Sequence, residues 1–141
     1  MIHRLPIKAR FAELDPYNHV NHSVYVSWFE AGRCEALESC GLALADLAES
    51  GFQFVVSTLQ VAYKISARAA DLLVVETFIA ELGGATSIWS QHLVREGTRD
   101  SAMVGAVLCT AEIRAAFCNT HGRPTRIPPE IRAQLESIVG P

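Results

Sequence analysis

Residues 13–33 read Glu13-Leu14-Asp15-Pro16-Tyr17-Asn18-His19-Val20-Asn21-His22-Ser23-Val24-Tyr25-Val26-Ser27-Trp28-Phe29-Glu30-Ala31-Gly32-Arg33, a short polar loop running straight into an apolar segment. Asp15-Pro16 followed by Tyr17 and Asn18 is turn chemistry, because proline fixes φ and asparagine tolerates tight backbone geometry. Asn21 has the side chain of an N-cap, able to accept from an orphan amide of a first helical turn. From Val24 to Phe29 only Ser27 is polar, so the expectation is a buried helix wrapped by the rest of the chain. A carboxylate and two imidazoles, His19 and His22, thus stand beside a helix N-terminus. Free N–H groups and about half a positive charge at that end suit a polarised or anionic oxygen.

Outward from this stretch, the sequence predicts a first strand over residues 3–11 and a helix from Asn21 to Ser39, stopped by Gly41, a good C′ residue. A second short helix is expected over Leu42–Ser50, closed by Gly51. Leu59, Val61, Tyr63 and Ile65 alternate with Gln60 and Lys64, which is strand patterning of period two. Leu72–Leu82 reads as a strand ending at the turn Gly83-Gly84. Thr86–Arg95 is the next strand, residues 96–100 a hairpin connection, and Ser101–Phe117 a long final strand. Pro128-Pro129 then opens a short helix, since proline suits the first helical turn. Short connections favour antiparallel neighbours. The predicted architecture is α+β: a five-stranded antiparallel sheet wrapped around one long central helix, in a single domain spanning residues 1–141.

Composition narrows the function classes. Half the residues are hydrophobic and 19% are charged, an apolar surplus that points to surface buried between subunits. A formal net charge of −3 argues against nucleic-acid binding, which wants a basic face. No apolar run is long enough to span a membrane, and no charged start leads into an apolar signal segment. A cytoplasmic protein is therefore expected. Cys34, Cys40, Cys109 and Cys118 show no C-x-x-C spacing and read as inert thiols.

Asp15, His19, Val20, Asn21 and Tyr25 fall on an Asp-x-x-x-His-Val-Asn-x-x-x-Tyr pattern that resembles the signature of the hot dog thioesterases, the 4-hydroxybenzoyl-CoA and acyl-CoA thioesterase family. Glu30 and Arg33, the stretch Tyr63–Asp71, Arg123-Pro124 and Ile127-Pro128 resemble the same family, so the similarity covers nearly the whole chain. Asn18 stands where the family often has glycine, and His22 where it often has asparagine. The resemblance implies a hot dog fold, hydrolysis of an acyl-CoA thioester without cofactor, and a homodimer or homotetramer with the substrate slot at a subunit boundary.

Asp15 fits either a nucleophile or a general base on water; its bland alternative is a turn-former before Pro16. A thiolate leaves easily, so one carboxylate plus a polarised carbonyl is a sufficient apparatus. The amides of His22 to Val24 are candidate oxyanion contacts. His19 and His22 join Asp15 as catalytic candidates, although His19 suits loop stabilisation equally well. Asn21, Ser23, Tyr25 and Arg68 are candidate substrate-binding residues, with capping the competing role for Asn21 and the pocket wall or core for Tyr25. Arg68, Arg95 and Arg99 are candidates for coenzyme A phosphates, or simply solvated cations. Trp28, Phe29 and Trp89 suit an acyl pocket or plain core packing. No metal is expected, since zinc wants three or four firm ligands. Absence of a Gly-x-Ser-x-Gly elbow excludes an α/β-hydrolase. Competing functions on the same fold are a hydratase or dehydratase and a non-catalytic acyl-CoA binding module.

Overall fold

The computed structural model describes residues 1–97 and 104–141. In chain order the elements are β1 (His3–Ile7), a 3-10 turn (Phe11–Glu13), α1 (His22–Ser39), α2 (Leu44–Glu49), β2 (Phe52–Tyr63), β3 (Leu72–Leu82), β4 (Thr86–Gly97), β5 (Val107–Asn119) and α3 (Pro129–Glu136). The strands form one sheet in the order β1-β3-β4-β5-β2, antiparallel throughout. Two helices exceed six residues, α1 with 18 and α3 with 8, so α1 is the longest helix of three described.

Asn21 caps α1: its Oδ1 accepts from Ser23 N at 3.0 Å. The helix ends in a Schellman motif, with Gly41 at φ +82°, Gly41 N donating to Glu38 O and Leu42 N donating to Leu37 O. Tyr25, Trp28, Phe29, Gly32 and Ala36 are buried, a stripe at i, i+3, i+4, i+7 spacing that packs on the sheet. At Gly32 the helix backbone lies so close that an added Cβ would sit 2.7 Å from Val75 Cγ1 and 2.9 Å from Thr77 Oγ1. Ser23, Ser27, Glu30, Ala31, Glu35 and Glu38 are exposed. The helix therefore buries one stripe rather than being wrapped on every side; the six-residue apolar window was too short to reveal a polar face that recurs over five turns.

Strand β2 begins seven residues before the alternating segment identified in sequence. Ser57 is the reason: the pairing with β5 runs Val56↔Ala115 and then Thr58↔Arg114, so Ser57 is an extra residue in a bulge. Directly paired residues share a face. Phe52, Phe54 and Val56 thus lie before the bulge, and Leu59, Val61 and Tyr63 after it, on the sheet face of their partners Asn119, Phe117, Ala115, Ile113, Ala111 and Cys109, with Val56, Leu59 and Tyr63 left exposed at the edge. A parity change of one residue hides half of this strand from a period-two reading.

Strand β1 stops at Ile7, where its register with β3 ends; the chain expected to continue to Phe11 instead turns into the 3-10 segment, held by Arg10 N donating to Glu13 Oε1 at 2.8 Å. Pro6, lacking an N–H, is tolerated because β1 is an edge strand. Strand β4 runs on to Gly97, and β5 starts only at Val107, after a turn with Gly105 at φ +85°. The expected connection at residues 98–100 and the expected strand start at residues 101–103 lie outside the described residues. Pro129 occupies the first turn of α3, and Leu135 and Ile138 complete the core with Phe117, Trp89 and Leu108.

Candidate active site

The residues before α1 fold into a closed turn. Asp15 N donates to His19 O at 2.7 Å and Asn18 N to Asp15 O at 3.1 Å. Asn18 sits at φ +61°, left-handed backbone that glycine or asparagine adopts at least cost; this accounts for asparagine at a position where the family often carries glycine. The Asp15 carboxylate is clamped on one side only. Its Oδ1 accepts from Tyr17 N at 2.8 Å and His19 N at 3.0 Å, while among the described residues no hydrogen bond reaches Oδ2. Below the turn, Glu13 anchors the chain to α1 by accepting from Trp28 Nε1 at 3.1 Å. Burial alone would push the Glu13 carboxyl up, but hydrogen bonds from the Arg10 backbone and side chain and from Trp28, with the Arg10 charge, hold it below the usual range.

Facing the turn, the segment from Lys64 to Asp71 forms the opposite wall. Val20 N donates to Ala67 O at 2.9 Å, His19 bridges to Arg68 through backbone, and Ala67 N donates to the Tyr25 hydroxyl at 3.0 Å. This wall is fixed from behind by a buried ion pair: Arg95 Nη2 donates to Asp71 Oδ2 at 2.8 Å and to Ser66 O at 3.2 Å, and Asp71 Oδ2 also accepts from Arg68 N. At the end of β2 the Tyr63 hydroxyl donates to His22 O at 2.7 Å, and its ring meets that of Tyr25 edge-on.

Between the walls lies a cleft of about 260 Å³ lined by Asp15, His19, Val20, His22, Tyr25, Tyr63, Lys64, Ile65 and Ser66. Four residues singled out in sequence, Asp15, His19, His22 and Tyr25, meet here. Three others do not line it: Asn21 serves as the cap, Ser23 is exposed with its Oγ on Asn21 Oδ1, and the Arg68 side chain is exposed. Arg95, read as a phosphate contact, is buried in the pair with Asp71, while Arg99 lies outside the described residues. Trp28, Phe29 and Trp89 are all core. Tyr63, Lys64, Ile65 and Ser66 were missed as cleft residues; the approach of β2's end to α1's start is a long-range contact without a local signal. Among the described residues no three His, Cys, Asp or Glu side chains group to hold a metal ion.

The cap also changes the set of free amides. Ser23 N is taken by Asn21 Oδ1 and Val24 N by Asn21 O, leaving His22 N alone of the three candidate oxyanion amides. Burial pushes the Tyr25 hydroxyl above its ordinary value, reinforced by Cys109, Tyr63 and Asp15, with the Ala67 amide opposing.

A one-sided carboxylate facing N–H and O–H groups at a helix start can activate an oxygen nucleophile and stabilise charge on a carbonyl oxygen, the layout of a hydrolase acting on an activated acyl group. The chain belongs to the thioesterase-like superfamily, whose family pattern matches residues 9–135. This makes it an enzyme of the thioester hydrolase class with the hot dog type of fold. It is 31% identical over 136 residues to the acyl-CoA thioesterase YbgC of Haemophilus influenzae, covering 94% of this chain and 93% of that one. It is 30% identical to a chloroplastic acyl-acyl carrier protein thioesterase of Arabidopsis thaliana, covering 94% of this chain and 67% of the relative. Among solved structures, a probable thioesterase from Bartonella henselae superposes with a TM-score of 0.80 at 28% identity, covering 91% of this chain and all of that one.

Proposed function

We propose that the protein hydrolyses acyl-CoA thioesters to a free acid and coenzyme A, with Asp15 as nucleophile or as general base on water. The observation that carries this reading is the Asp15 carboxylate, tethered through Oδ1 to Tyr17 N and His19 N and facing the cleft. In the general-base route, water oxygen bonds to the carbonyl carbon, its proton goes to Asp15, and the carbonyl π pair moves onto oxygen. Collapse of that intermediate expels the coenzyme A thiolate. In the nucleophilic route an Asp15 oxygen makes the bond, the C–S bond breaks to release the coenzyme A thiolate, and water then cleaves the resulting mixed anhydride to the free acid and the Asp15 carboxylate. His19 holds the turn by its backbone and lines the cleft; His22 offers its amide at the helix start. Asn21, Ser23 and Arg68 act on substrate only through the shape they give the helix start and the facing wall. No cofactor or metal enters this scheme.

The working unit in this proposal is a homodimer or homotetramer of one-domain subunits in the cytoplasm. What supports it is β2, an edge strand whose Val55, Val56, Leu59 and Tyr63 are 41–50% exposed, and an unpaired apolar edge invites a second strand. None of the described helices is long and apolar enough to cross a membrane. In such an assembly the sheet wraps α1 as the central helix.

The test is thiol release from a panel of acyl-CoA and acyl carrier protein thioesters. Thiol release by the wild type and its loss in Asp15→Asn supports the reading. Saturable binding without thiol would favour a binding module, and change at the acyl double bond without thiol a hydratase.

A further inference from the structure

We propose that the Tyr25 hydroxyl is a catalytic hydrogen-bond donor, bonding the thioester carbonyl oxygen as negative charge develops on it. The inference rests on the thioesterase reading above and adds a residue to that reaction.

A helix N-terminus ordinarily supplies such contacts from several amides. Here the Asn21 cap occupies two of the three, through its side chain to Ser23 N at 3.0 Å and its carbonyl to Val24 N at 3.0 Å. One amide, His22 N, remains for a carbonyl oxygen, and a second donor has to come from elsewhere in the cleft wall. Two phenols line it, and their hydrogen-bonding differs. The Tyr63 hydroxyl donates its only proton to His22 O at 2.7 Å. The Tyr25 hydroxyl instead accepts, from Ala67 N at 3.0 Å, so its proton is not used by that bond. A phenol carries one proton and can both donate and accept. Among the described residues no acceptor takes the Tyr25 proton, although the residue is only 3% exposed and lines the cleft beside Asp15 and His22. A buried donor without a partner is costly in the resting protein and is satisfied when a ligand oxygen arrives.

The surroundings keep this donor in place and protonated. Ala67 is fully buried and lies in the segment whose two ends are held by Arg95, through Ser66 O and Asp71 Oδ2. With the Ala67 amide fixed on its oxygen, the Tyr25 hydroxyl turns its proton away from that amide, in a residue that lines the cleft. The ring is held by Trp28 and Tyr63 at centroid distances of 5.8 and 5.2 Å. Burial, together with Asp15, Tyr63 and Cys109 nearby, disfavours the phenolate, so the group stays a donor through the neutral range. Proton transfer from Tyr25 is not part of the step: the hydrogen bond shortens as the oxyanion forms and relaxes when the thiolate leaves. Preorganised donors of this kind act where water is excluded and need no rearrangement during reaction.

Two variants test it on the intact chain with an acyl-CoA that the wild type turns over. Tyr25→Phe should lower kcat by about 100–1000-fold, the usual effect of losing one oxyanion donor, with KM changed by only a few-fold. Because Tyr25→Phe also strands the Ala67 amide, a fluorotyrosine at position 25 supplies a readout free of that loss. Its packing is conserved while its phenol is more acidic, so the high-pH fall in kcat should move to lower pH. A folded Tyr25→Phe protein with kcat near wild type, or a fluorotyrosine variant with an unchanged pH profile, would overturn the proposal while leaving the Asp15 chemistry intact. Full activity in Asp15→Asn would instead sink the underlying reading.

Discussion

Arg95 Nη2 lies 2.8 Å from Asp71 Oδ2, with the two side chains 6% and 3% exposed. Asp71 closes the segment that forms one wall of the cleft, and Arg95 is on β4 inside the sheet. The pair ties the sheet to the backbone that meets Val20, His19 and Tyr25. Breaking a buried pair by neutralising one partner leaves an uncompensated charge. Asp71→Asn or Arg95→Met should therefore cost about 3–5 kcal/mol, measured by urea unfolding, while surface Arg68→Ala should cost less than about 0.5 kcal/mol.

At the turn, Asp15→Asn retains shape but loses the basic oxygen. We expect turnover to fall by about 1000-fold or more with folding intact, read from thiol release and near-ultraviolet circular dichroism. His19→Ala should cost less than Asp15→Asn, because the bond that orients Asp15 comes from the His19 backbone and survives the substitution.

Helix α1 should be sensitive at Gly32. A Cβ there meets Val75 Cγ1 at 2.7 Å, Thr77 Oγ1 at 2.9 Å and Gln91 Nε2 at 3.0 Å. The Gln91 amide donates to Phe29 O and Thr77 Oγ1 and accepts from Arg33, so the neighbours cannot yield without breaking buried hydrogen bonds. Gly32→Ala is predicted to destabilise by about 1–3 kcal/mol despite the better helix propensity of alanine. A rise in melting temperature would contradict this.

Alkaline stability should depend on Cys109, which burial pushes up from 9.0 to about 11. The folded state favours the neutral thiol. Its contribution is therefore complete below pH 9 and is lost as pH rises toward about 11, where the unfolded chain has already ionised. Cys109→Ala should show a shallower fall in unfolding free energy across pH 9–11 than wild type. The native thiol should also resist alkylation at pH 8.

The edge of β2 should carry the subunit contact. Replacing Val56 or Leu59 with lysine is expected to shift sedimentation toward a monomer, with loss of specific activity at the same dilution. Unchanged sedimentation in both variants would remove this edge from the interface.

Much of this protein was legible in its sequence because the signals are local. Asn21 as cap, Gly41 at the helix end, the turn at Gly83-Gly84 and proline at the start of α3 each depend on residues within a few positions of one another. Strand β3 was found with its observed ends because its run of β-branched and apolar residues stops at the Gly83-Gly84 turn. The pattern from Asp15 to Tyr25 marked the cleft for the same reason, lying in one uninterrupted loop and helix start. Tertiary structure alone decided what depends on register and partners. The Ser57 bulge shifts the parity of β2 midway, and β1 ends where pairing with β3 ends. The cap leaves His22 N as the free amide among the three, and among the described residues the Tyr63 proton is engaged while that of Tyr25 is not. Arg95 reads as a cation in sequence and becomes a buried clamp only when β4 is set against Asp71. A hydrogen bond between residues 41 or 42 positions apart has no local correlate, and the direction in which it donates determines which phenol can serve the substrate.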